Sequence, residues 1–282
     1  MGTSAPSGGP KAKVPFDPPW LDNIALGGSD EPAPDDAAED GSSDGAAEPA
    51  PAMAAVGMAP AGRFRAARTN LGAFARSGDS ESLRRAAGHY SRSGMGGAGN
   101  VAARMRTATR AGAGLGSFLQ AARDRTDPNV NAWLDKLRST NPSAQTVIDA
   151  IVAQIIPEGG SLDEESARDS MARALSELIK LVPDVDLLAL QDAQIWTLMQ
   201  LYIGNEACNR MYADIGQLFE NVKLSPREAV QRTNEMRRFL KNAVAARIEV
   251  VRRTSPNPTR VQLEQLLHEA LRATFAVFED SL

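Results

Sequence analysis

Acid/base or nucleophilic catalysis needs a group that exchanges protons near neutrality, and this chain of 282 residues has two histidines, His89 and His268, and one cysteine, Cys208. His268 lies between Leu267 and Glu269, where a boundary position on an amphipathic helix accounts for it. Cys208 falls in a helical pattern and reads as a buried thiol, and one cysteine excludes an internal disulfide or a cysteine-clustered zinc site. The carboxylates Asp163, Glu164 and Glu165 read as the first turn of a helix, where the macrodipole favours negative charge. No metal-ligand spacing stands out, and no cofactor is expected.

His89 stands in a denser setting: Arg84, Arg85, Gly88, Tyr90, Ser91 and Arg92 surround it before a glycine run. One reading is a solvated arginine face with Tyr90 turned inward. The other is an anion or partner site, with the amides around Gly96 and Gly97 at the next helix N-terminus and Arg92 and Arg104 close in sequence. Gly94, Gly96 and Gly99 satisfy the dinucleotide spacing G-x-G-x-x-G, but an arginine-rich helical stretch precedes them where a buried strand is required. A P-loop is excluded because no Gly-Lys-Ser/Thr follows a glycine pair. Arg84, Arg85, Arg92, Arg104, Arg106 and Arg110 suit nucleic acid electrostatically, yet few aromatics accompany them for base stacking.

The remaining reactive group is at the start, Met1, Gly2, Thr3 and Ser4, followed by Gly8, Gly9, Pro10, Pro18, Pro19 and Trp20. Removal of Met1 before the small Gly2 exposes an unhindered α-amine, a nucleophile at milder pH than a lysine. N-myristoylation is excluded, because that motif requires Ser or Thr where Pro6 stands. On the residues alone, an ordinary disordered start is the plainer account of this segment.

These groups are positioned by four compositional stretches: a Gly/Pro-rich motif over residues 1–21, an acidic linker over 22–62, an Arg/Gly-rich helical region over 63–125 and a helical body over 126–282. Between positions 22 and 60 there are nine acidic residues and no Lys or Arg, whereas positions 61–125 hold twelve arginines against Asp79, Glu81 and Asp124. The linker has too few large apolar side chains to offset its ordering entropy and is expected to be disordered. Arginine outnumbers lysine 25 to 6 throughout, which weakens any reading of arginine as chosen for phosphate.

In the body, Asp127-Pro128, Asn141-Pro142, Ser225-Pro226 and Asn257-Pro258 each read as a cap followed by the first helical residue. Ser161 with Glu164 and Ser225 with Glu228 have capping-box spacing. Helical faces follow at Met171, Leu175, Leu178 and Val182; at Val230, Thr233, Leu240, Val244, Ile248 and Val251; and at Leu263, Leu267, Ala270, Thr274 and Phe278. Val147, Ile148, Ile151, Val152, Ile155 and Ile156 are rich in β-branched residues but follow a capped start, and read as helix. The expected fold is mainly α, a helical bundle behind a disordered Gly/Pro/acidic N-terminal segment. The strongest apolar run, residues 187–203, is interrupted by Gln191, Asp192, Gln194 and Gln200, short of the roughly 18 apolar residues of a membrane span. With no signal-peptide pattern at the start, the chain is expected in the cytoplasm.

The residues Met1 to Ser4 with Gly8, Gly9 and Pro10, then Pro18, Pro19, Trp20 and Leu21, and then Gly88 to Arg92 leading to Gly94, Met95, Gly96 and Gly97, resemble the B-component family of the Qat anti-phage defence system. The resemblance covers the start and the Arg/Gly region best, and the helical body in length and character. It implies a bacterial defence operon that also encodes an ATPase, a QueC-like enzyme of deazaguanine chemistry and a TatD-like nuclease. It further implies that the QueC-like partner attaches a deazaguanine-type group to Gly2, with Thr3, Ser4, Gly8, Gly9, Pro10 and Trp20 recognised by that partner.

The expected function is therefore a non-enzymatic defence component, modified at its N-terminal glycine, whose helical body docks to other components. The alternative is a nucleic-acid-binding adaptor built on the six arginines, with affinity that falls steeply with salt and survives deletion of residues 2–20.

Overall fold

The computed structural model describes residues 62–222, 224–255 and 258–282. The N-terminal motif, residues 1–21, and the linker up to residue 61 lie outside the described residues, as does the disorder expected there. Among the described residues the regular structure is helical: α1 (Arg65–Ser77), α2 (Ser80–His89), a π turn (Tyr90–Met95), α3 (Ala98–Arg104), α4 (Arg106–Asp124), α5 (Pro128–Ser139), α6 (Ala144–Ile155), α7 (Leu162–Leu181), α8 (Asp192–Ile215), α9 (Leu218–Asn221), α10 (Pro226–Thr254) and α11 (Arg260–Asp280). No helix among them is long and apolar enough to cross a membrane.

Side-chain chemistry sets the helix starts. Asp127 accepts from the amides of Asn129 and Val130, with Pro128 at the first position of α5. Ser161 and Glu164 form a capping box at α7, as do Ser225 and Glu228 at α10, each carboxylate answering the cap residue's own amide. Two starts fall later than expected. α6 is capped by Ser143, whose hydroxyl accepts from the Thr146 amide at 3.1 Å, while Asn141 is left-handed with φ 48°. α11 is capped by Thr259, in a box with Gln262, and Asn257 lies outside the described residues. In both cases a hydroxyl just after the proline takes the capping role, so the proline stands before the helix rather than inside it.

α8 is the central helix, buried on nearly every side through Ile195, Trp196, Leu198, Met199, Tyr202, Ile203, Ala207, Met211 and Ile215. It packs against α7, α10 and α4. α11 buries Leu263, Leu267, Ala270, Thr274 and Phe278, the face read from sequence, against α2, α3, α4 and α10. The core therefore runs without a break across residue 125. Each fully buried Leu or Phe in it contributes ~1.5–3 kcal/mol of transfer free energy. The face of α10 is shorter than its periodicity suggested: Met236, Leu240, Val244 and Ile248 are buried, but Val230 is 61% exposed. α8 has already turned at Gly216 before α10 begins, and the first two turns of α10 run past the core.

Candidate functional site

α2 opens with Asp79, which accepts from the amides of Glu81 at 3.2 Å and Ser82 at 2.9 Å. It runs directly into the π turn, and the widened turn re-aims the residues from 88 to 94 at α8 and α11. Gly88 lies under α11 so closely that a Cβ there would stand 2.4 Å from the Phe278 carbonyl oxygen. The Tyr90 ring stacks on Phe64 at 5.7 Å and tilts against Phe275 at 6.0 Å. Its hydroxyl donates to Asp214 Oδ2 at 2.8 Å. Burial, and then the Asp214 charge, push this phenol far above its ordinary range, so it keeps its proton.

Ser91 and Arg92 complete the attachment. The Ser91 hydroxyl donates to Glu279 Oε1, and Arg92 Nη2 donates to the Glu279 carbonyl at 2.8 Å. Gly94 leaves room for the Phe64 ring, 2.4 Å from where a Cβ would sit. The segment thus holds the last turn of α11 and the end of α8 against α1.

The other sequence-predicted residues are placed around this clasp. Arg84 and Arg85 are exposed and share Glu81, at 3.9 and 3.5 Å. His89 is half-buried at the end of α2. The amides of Gly96 and Gly97 both donate to the Ser91 carbonyl, and Asn100 Nδ2 donates to the Met95 and Gly96 carbonyls at 3.0 Å. The loop closes on itself and Arg92 is committed to α11, so these groups are not brought together around an anion; Arg104 is exposed at the end of α3. The G-x-G-x-x-G spacing follows a helix and a π turn, not a strand.

Arg106 and Arg110 line a shallow groove of about 410 Å³ with Thr109, Glu264 and His268, and Arg110 approaches Glu264 at 3.9 Å. No group of three or more His, Cys, Asp or Glu poised for a metal occurs among the described residues.

Sequence reasoning missed a buried polar cluster between α7 and α8. Glu206, 1% exposed, accepts from the hydroxyls of Ser170 at 2.8 Å and Ser166 at 3.0 Å. Burial raises its carboxyl above the ordinary range and the two serines oppose the shift. Beside it Arg210 pairs with Asp163, and Asn209 donates to Asp169 and Ser170. The available signal was Asn205-Glu206 interrupting an otherwise apolar helix. Cys208 is buried as expected, its thiol pushed up by burial while Arg237 opposes.

Gly2, Thr3, Ser4, Gly8, Gly9, Pro10 and Trp20 lie outside the described residues. No curated protein and no solved structure matches the chain. Residues 96–278 match the family model of the Qat anti-phage system associated protein QatB. The match begins at Gly96, so it covers the end of the Arg/Gly-rich region and the helical body, and not the N-terminal residues that carry much of the resemblance in sequence. With well over half of its length matched, the chain belongs to the QatB family of Qat anti-phage system associated proteins.

Proposed function

We propose that this component of an anti-phage defence system acts without catalysis of its own, as the substrate of a QueC-like partner that joins a deazaguanine-type group to the α-amine of Gly2. Thr3, Ser4, Gly8, Gly9, Pro10 and Trp20 form the stretch that partner reads, and the helical body docks to other components, among them the system's ATPase and TatD-like nuclease, in the cytoplasm. One observation carries the reading: Gly2 follows Met1, so that removal of Met1 exposes a bare glycine amine, and Pro6 stands at the position that rules out myristoylation. Family membership supports it by placing the protein in a multi-component system. The commitment of Tyr90, Ser91 and Arg92 to Asp214 and Glu279 supports it too, because this cluster of reactive side chains holds helices together.

The test is the intact mass and N-terminal peptide mass of the protein made with and without its neighbouring genes, for wild type and Gly2→Ala. A mass added at residue 2 that requires the QueC-like gene supports the proposal. An unmodified Gly2 during active defence discards it. The exposed Arg104, Arg106 and Arg110 favour a second reading, a nucleic-acid adaptor. It requires affinity for single-stranded DNA that drops steeply with salt and persists without residues 2–20.

A further inference from the structure

Two depressions meet along the outward side of α10. The first, of about 440 Å³, is lined by Tyr212, Phe219, Ala229, Val230 and Thr233. Its Tyr212 and Phe219 rings stack at 6.1 Å with planes 10° apart, and Val230 is 61% exposed. The second, of about 420 Å³, lies over Leu201 and is edged by Leu181, also 61% exposed, with Lys180, Arg238 and Lys241 around it. Asn234 and Arg237 wall both, so the two form one groove. From Val230 to Lys241 it follows about three turns of helix, ~16 Å.

The two ends differ in chemistry. The end at Val230 is aromatic and aliphatic. The other end is cationic, and Glu177, among the described residues the one carboxylate lining either depression, is already paired with Lys241. Among the described residues Lys180, Arg237 and Arg238 have no carboxylate within ion-pair distance, and the Arg237 Nε–H is buried without an acceptor. An apolar pocket running into unmatched cations is complementary to a chain that carries an apolar side chain first and carboxylates after it. A phosphate backbone would satisfy the cations but would leave the exposed Val230 and Leu181 without an apolar partner.

We propose that this groove docks an acidic peptide segment of a partner protein, with an aromatic or aliphatic side chain seated against Val230, Tyr212 and Phe219 and carboxylates on Lys180, Arg237 and Arg238. This assigns a surface to the docking role proposed above and rests on that role. Gly2 does not enter it, so the experiment below can fail while modification of Gly2 stands, and the reverse.

The test measures binding of the full chain to a labelled, end-blocked synthetic peptide with tryptophan and leucine at one end and glutamates at the other, by fluorescence anisotropy at low salt. Saturable binding is expected, weakened ~tenfold by each of Lys180→Glu, Arg238→Glu and Val230→Asp, and kept within ~twofold by Arg238→Lys. Thermal unfolding of each variant checks the fold; should a charge reversal unfold the chain, Lys180→Gln and Arg238→Gln replace it, with a smaller loss expected. Lack of saturable binding overturns the proposal. So does equal affinity for oligoglutamate without apolar residues, tighter binding of oligothymidylate, or variants that bind like wild type.

Discussion

The Tyr90 hydroxyl and the Asp214 carboxylate meet at 2.8 Å across 124 residues of sequence, and their hydrogen bond joins the π turn after α2 to the last turn of α8. With Ser91 and Arg92 on Glu279, it makes the segment from 88 to 94 the place where the two ends of the helical unit are held together.

Tyr90→Phe keeps the ring between Phe64 and Phe275 but removes the donor to Asp214. A loss of about 1–2 kcal/mol in urea unfolding is expected, because a charged, half-buried acceptor is left short of a partner. Adding Asp214→Asn should cost less than the sum of the two single changes. A Tyr90→Phe variant as stable as wild type would remove the clasp from this account.

Glycines 88 and 99 predict opposite effects of the same substitution. Gly88→Ala drives a methyl to within 2.4 Å of the Phe278 carbonyl oxygen, backbone that cannot retreat, and should cost ~1–3 kcal/mol. Gly99→Ala meets open space inside α3 and should stabilise by up to ~1 kcal/mol from helix propensity. Denaturant midpoints of the two variants check the pair, and equal shifts would contradict the close approach of α2 to α11.

Burial raises the carboxyl of Glu206 in the folded protein, so the folded chain holds that proton more firmly than the unfolded chain. Its stabilising contribution is complete below the ordinary carboxylate range and is lost as pH rises through the folded value. Glu206→Gln still accepts from Ser166 and Ser170 without an ionised form. It should melt higher than wild type near neutral pH, with the gap closing as pH falls to the ordinary carboxylate range. Melting curves whose separation does not change with pH would show that the carboxyl is not raised.

At the start of α6 the capping hydroxyl belongs to Ser143. Ser143→Ala should lower stability by about 1 kcal/mol. Asn141→Gly should not lower it, because φ 48° at that position suits glycine. The reverse ranking in thermal melts would return the cap to Asn141.

Much of this architecture is local and was therefore legible. Asp127, Ser161 and Ser225 cap the helices their neighbours announce, and the buried stripe of α11 follows its 3.6-residue period. Periodicity says which side of a helix is apolar, but not where the core ends, so Val230 was assigned to a face that starts only at Met236. The role of Gly88 to Arg92 was not legible, since the partners that define it, Asp214 and Glu279, are 124 and 188 positions away. In sequence those residues read either as an exposed arginine face with Tyr90 turned inward or as an anion site, and packing shows Tyr90 buried with the Tyr90, Ser91 and Arg92 side chains donating to Asp214 and Glu279.

The attachment of Ser91 to Glu279 also sets the order in which the protein can be completed on the ribosome. The two residues are 188 positions apart, and at ~5–20 residues per second α2 and α3 wait ~10–40 seconds for α11. Through that interval the faces of α2 and α3 that pack on α11 in the finished fold, around Leu83 and Val101, have no α11 to cover them. Until its last helix is made, the nascent chain therefore carries an uncovered apolar face that is open to aggregation.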